Sequence, residues 1–154
     1  MTDMVSGARQ SIHAERPAGT RALLALHGLL AAGYLLGAGV TALVAAVRSG
    51  HYEGLLSPGL DQFDDPKVYL PPVGPDSLWN PLTWIFSLAH LIAIFIRPLA
   101  AVAGLLGLLH LLRAGVRGHR RAAGWLAVGT AVSFALLAIS LTPYGSQMQA
   151  WLLD

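Results

Sequence analysis

Three apolar runs, 22–47, 82–112 and 122–141, alternate with short polar segments along this chain. A hydrocarbon core about 30 Å thick is crossed by roughly 20 apolar residues in α-helix, and each run reaches that length. Inside lipid a helix satisfies every backbone group from within its own segment, so such runs read as spanning helices. The pattern predicts an all-α integral membrane protein with transmembrane helices over 22–47, 81–113 and 122–142. The segments 1–21, 48–80, 114–121 and 143–154 lie outside them.

Local signals sharpen two of these ends. Asn80-Pro81 is a helix start, an N-cap side chain followed by proline at the first helical position. Pro143 stops the third helix, and 147–153 is expected to form a short interfacial turn. The second helix is too long for one span: 33 residues at 1.5 Å each give roughly 50 Å, about 20 Å beyond the hydrocarbon. Three arrangements absorb the surplus: a helix standing proud of the outer face and packed against the proline-rich loop, a break at Pro98 that lays 82–96 in the interface, or a tilted and kinked span. Arg97, beside that proline, distinguishes them. In a projecting helix it snorkels to headgroups at small cost. In a centred helix it lies at mid-bilayer, costs about 2.5–3.5 kcal/mol or more, and needs a partner.

Charge placement gives an orientation. Arg9, Arg16 and Arg21 precede the first helix, and Arg113, Arg117, Arg120 and Arg121 surround the 114–121 turn. The 48–80 loop instead carries Glu53, Asp61, Asp64, Asp65 and Asp76 against Arg48 and Lys67. The positive-inside rule therefore predicts a cytoplasmic N-terminus and turn, with the loop and C-terminus outside. Trp79, Trp84, Tyr144 and Trp151 then fall at the outer interface and Trp125 at the inner one. The loop holds Pro58, Pro66, Pro71, Pro72 and Pro75, so long regular elements are not expected in it. Its interleaved Tyr52, Leu55, Leu60, Phe63 and Tyr69 predict an ordered extracytoplasmic cap and not a free linker.

Composition narrows the classes further. Of 154 residues 55% are hydrophobic and 12% charged, against about 25% charged in soluble domains. That leaves no room for a separate soluble catalytic domain. Zero cysteines exclude disulfides, thiolate catalysis and iron–sulfur ligation. The net charge of +2 comes from arginine clusters beside the apolar runs, a pattern of topology signals that argues against nucleic-acid binding. A cleavable signal peptide is not expected, because the first apolar run exceeds a signal h-region and no A-x-A site follows it. The Ala, Gly, Leu and Arg bias, with one lysine, suggests a bacterial plasma-membrane protein.

Few residues carry candidate chemistry. His27 and His110 lie at similar depth in neighbouring antiparallel helices, and two facing histidines are one way a bundle holds haem b. Gly28, Gly104 and Gly107 beside them leave space for a flat macrocycle. The bland alternative is that both imidazoles bond carbonyls or water. His90 lies two turns before Arg97 on the same face; together they make a candidate site for a lipid phosphate, a quinone carbonyl or an anion. Asp61, Asp64 and Asp65 lack the pattern of a calcium loop, and His13, His51 and His119 read as solvated, so no metal site is expected. No catalytic set is evident: no span holds an acid, a cysteine or a hydroxyl–base pair.

Small residues at four-residue spacing are the remaining signal. They are Gly33, Gly37, Thr41 and Ala45 in the first helix, the pairs Ala100-Gly104 and Ala103-Gly107 in the second, and Ala123, Ala127, Ala131 and Ala135 in the third. Such stripes let backbones approach closely, which drives association where lipid offers no hydrophobic gain. The expected function is a structural or accessory subunit that self-associates or joins other membrane subunits, without catalysis of its own. The alternatives are a haem b or quinone anchor of a redox complex, and an oligomeric channel or transporter lined by Arg97, His90, Ser87, Thr41, Thr130 and Ser133.

Overall fold

The computed structural model describes residues 18–55, 60–69, 79–115 and 120–154, and among these there is helix and turn but no strand. Most of the prolines and glycines of the 56–78 stretch, with His13, His119 and Arg117, lie outside the described residues. Three helices are long and apolar enough to cross a membrane: Gly19–Ser49, Ile96–Arg113 and Arg120–Leu141.

The first of these is one continuous rod. Helix α1 (Ala18–Tyr34) passes through a π-helical turn, Leu35–Val40, into α2 (Thr41–Ser49). The π turn marks the closest approach to the next helix. A Cβ on Gly37 would lie 2.2 Å from the carbonyl oxygen of Ala89, so only a residue without a side chain fits there. Gly50 ends α2 in the left-handed conformation (φ 76°), its amide donating to Ala46 at 2.9 Å. A Cβ at φ > 0 would be strained, which is why glycine is the usual residue at such a C-cap.

The second apolar run is two helices. Asn80 caps α3 (Pro81–Ile94), its side chain accepting from the Leu82 amide at 3.0 Å, and α4 (Ile96–Gly115) follows after Phe95. Pro98 is the physical reason for a break here. It has no N–H to donate to the carbonyl of Ile94, four residues earlier. That freed carbonyl accepts from Gln149 Nε2 at 3.0 Å instead, a side-chain repair of the kind lipid-embedded backbones require.

Helix α5 (Arg120–Leu141) runs back along α4, and α1 packs against both. The 143–154 tail differs from its expected short turn. It forms an eleven-residue helix, α6 (Pro143–Leu153), with Thr142 as N-cap accepting from the Gly145 amide at 3.0 Å and proline at the first position. The signal is the same cap-proline pair as Asn80-Pro81. Helix α6 lies antiparallel to α3 and buries Met148, Trp151 and Leu152. Trp151 also anchors the 48–69 segment. Its indole donates to the Asp64 carbonyl at 3.1 Å, and its ring meets Phe63 and Tyr69 at centroid distances of 5.9 and 6.4 Å. Leu60, fully buried, completes that cluster with Ala45 and Ala46 of α2.

Candidate functional site

Polar side chains gather at two levels of the bundle. At the upper level Arg97, in the first turn of α4, reaches the end of α5 and the start of α6. The Ser140 carbonyl accepts from its Nε at 3.1 Å and its Nη2 at 2.7 Å, and Nη2 also donates to Ser146 Oγ at 2.7 Å. Side chains on a helix lean toward its N-terminus, so the guanidinium points away from the arginine-rich end of the bundle. His90, one helix earlier, donates from Nε2 to the Leu152 carbonyl at 3.1 Å, while its Nδ1 is buried without a partner among the described residues. With Gln149 on Ile94, three side-chain bonds rivet α6 to the α3–α4 junction. Arg97 and His90 both face α6, and both are engaged in holding the fold.

At the lower level His27 is 2% exposed and wedged between three helices. Its Nδ1 donates to the Leu23 carbonyl at 2.6 Å, which leaves Nε2 as a bare acceptor, buried and without a partner among the described residues. Two glycines make the slot. A Cβ on Gly107 of α4 would stand 3.1 Å from Nε2 and 2.2 Å from Thr130 Oγ1, and one on Gly129 of α5 would stand 3.1 Å from the ring's Cγ. Thr130, also buried, donates its hydroxyl to the Leu126 carbonyl at 2.8 Å. The hydroxyl of Ser133, 1% exposed, has no partner among the described residues.

His110 does not join this group. Its Nε2 pairs with Thr20 Oγ1 at 2.9 Å, near the start of α1. The space expected for a macrocycle is filled: Phe134 packs at 3.0 Å on the position of a Gly104 side chain, and Gly107 carries Thr130 and His27. Gly28 is open but exposed, with nothing within 4 Å. The two histidines do not fit an axial haem pair in this arrangement, because His110 Nε2 is bonded to Thr20 and the Gly107 backbone closes on His27 Nε2.

The small residues fall into two groups. Gly33 abuts Ile92, and Gly37 abuts the Ala89 backbone; Thr41 is buried. Gly104 and Gly107 are likewise covered within the chain, whereas Ala127, Ala131 and Ala135 of α5 are exposed. Sequence reasoning missed Gly129, Ser140, Gln149 and Ser146. Nothing local marks them, since each matters only through what a distant helix presents. Asp65 and Lys67 form an exposed ion pair at 3.7 Å, of a type that contributes little to stability. Compared with known proteins, the chain matches no family model, no curated protein and no solved structure.

Proposed function

We propose that this protein is a multi-pass subunit of a membrane assembly, with its N-terminus and the 114–121 turn on the cytoplasmic side. In this reading α3 rises beyond the outer edge of the hydrocarbon and offers an apolar face to a neighbouring protein. The observation that carries it is the exposed apolar face of α3. Leu82, Ile85 and Leu88 are each at least half exposed.

The depth argument supports this placement. With Arg113 and Arg121 at the inner boundary, about 20 residues, or 30 Å, lead up to residue 93 on one helix and to Leu141 on the other. The bond from Arg97 to the Ser140 carbonyl couples those two levels. Arg97 then sits roughly 24 Å above Arg113 and extends outward to the headgroups. About a dozen residues of α3, roughly 18 Å, remain above the hydrocarbon. Among the described residues nothing covers that apolar face, and contiguous patches of that kind outside lipid mark interaction surfaces. The exposed Ala127-Ala131-Ala135 stripe offers a second contact, within the membrane.

The haem and channel alternatives have no comparable support. His27 and His110 are bound apart, and Arg97 and His90 are taken up by α6. The test is to extract the protein with its native lipids into polymer nanodiscs and measure particle mass. A homo-oligomer or a stoichiometric partner is expected, and Ile85→Arg should release the monomer while leaving its melting temperature nearly unchanged. A particle that is monomeric and free of partners before mutation would overturn the reading.

A further inference from the structure

Between α1 and α4, at the arginine-bearing end of the bundle, lies an open groove of about 470 Å³. Leu23, Leu26, Leu106 and Leu109 line it along its length, with His110 and Arg113 at the end nearest the helix termini. The two polar residues differ in kind. His110 is fixed in place by Thr20, with Nε2 at 2.9 Å from the hydroxyl. Arg113 is exposed and makes no hydrogen bond or ion pair among the described residues. The acids whose side chains are described, Glu53, Asp64, Asp65 and Asp154, belong to the 52–69 stretch or the chain's far end, so none of them balances this arginine. Arg21, Arg120 and Arg121 add further positive charge on the same side.

We propose that this groove is a binding site for an anionic phospholipid: one acyl chain along the leucines and the headgroup phosphate at Arg113 and the ring of His110. The apolar walls select an amphiphile over a free phosphate, because a soluble anion gains nothing from them. With no described acid beside it, the guanidinium selects a net negative headgroup over a zwitterionic one, since a phosphate–guanidinium bond is charge-assisted while a choline group adds repulsion. The site differs from the Arg97 level, where Nε and Nη2 are already bonded to the Ser140 carbonyl and the Ser146 hydroxyl.

The experiment places p-benzoylphenylalanine at Ala22, an exposed residue lining the groove, in the full chain. The protein is reconstituted in phosphatidylcholine vesicles holding about one-quarter phosphatidylglycerol, irradiated, and its adducts are identified by mass spectrometry. Phosphatidylglycerol adducts are expected at several times that lipid's mole fraction. Removing one cation by Arg113→Gln should lower the ratio of phosphatidylglycerol to phosphatidylcholine adducts about five-fold. The same probe at Leu105, an exposed position of α4 outside the groove, should report the bulk mixture. Adducts at Ala22 that match the bulk mixture, or that survive Arg113→Gln unchanged, would overturn the proposal in favour of ordinary annular lipid. Adducts to residues 1–17 or to a second copy would overturn it in favour of a protein occupant, and the absence of any adduct would mean an empty groove.

Discussion

The bond from Gln149 to the Ile94 carbonyl makes a sharp prediction, because Pro98 explains why that carbonyl is free. Gln149→Leu keeps the volume and removes the donor. A buried carbonyl left unsatisfied costs about 1–3 kcal/mol, while hydrogen bonds in membrane proteins average about 0.6 and reach about 1.7 kcal/mol. Ile94 is half-buried and not sealed in the core, so the loss should lie near 1–1.5 kcal/mol, about a ten-fold shift in the folding equilibrium. Pro98→Ala restores an amide at the position that would bond Ile94 in a continuous helix. In that background Gln149→Leu should cost less than about 0.5 kcal/mol, giving a coupling of about 1 kcal/mol in a double-mutant cycle. Unfolding in mixed micelles of sodium dodecyl sulfate, followed by tryptophan fluorescence, reads all four variants. Additive losses would refute the idea that Gln149 compensates for Pro98.

Three other outcomes follow from the packing. Gly107→Ala should destabilise by about 1–3 kcal/mol, since the new methyl group meets Thr130 Oγ1 at 2.2 Å; Thr130→Ala in the same chain should recover much of that loss in the same micelle assay. Trp151→Ala removes the ring shared by Phe63 and Tyr69 and should cost about 3–5 kcal/mol, with faster protease cleavage within 52–69. Because the chain has no cysteine, Val68→Cys and Arg120→Cys should label with an impermeant maleimide from opposite sides of sealed vesicles. Labelling of both from one side would contradict the proposed topology.

What the sequence made legible is tied to what is local. The three apolar runs, the Asn80-Pro81 start and the special role of Arg97-Pro98 all depend on residues adjacent in the chain. The α6 helix was equally local, since Thr142-Pro143 repeats the Asn80-Pro81 signal. It was missed because Pro143 reads first as the end of α5, and because Ser146, Gln147 and Gln149 make α6 less apolar than the spans. The site was less legible than the fold. His27 and His110 sit at similar depths when counted along two ideal helices, yet the register of α1 against α4 sets Gly107 beside His27 and Thr20 beside His110. The glycines of the first two helices suit packing inside the chain as well as a partner chain. Most are spent inside, on Ile92, on Ala89 and on the ring of Phe134, and only the register between distant helices decides that.

The central claim is the depth of α3, and spin labels measure it directly. Single cysteines at Leu82, Ile85, Leu88, Phe95, Val102 and Leu105, each exposed, would carry nitroxides in reconstituted bilayers, with collision rates for oxygen and for a polar nickel chelate read at each. Oxygen collisions should peak near Val102–Leu105 and be low at 82–88. A peak near Phe95, with 82–88 within the hydrocarbon, would put Arg97 at mid-bilayer and contradict the projecting helix.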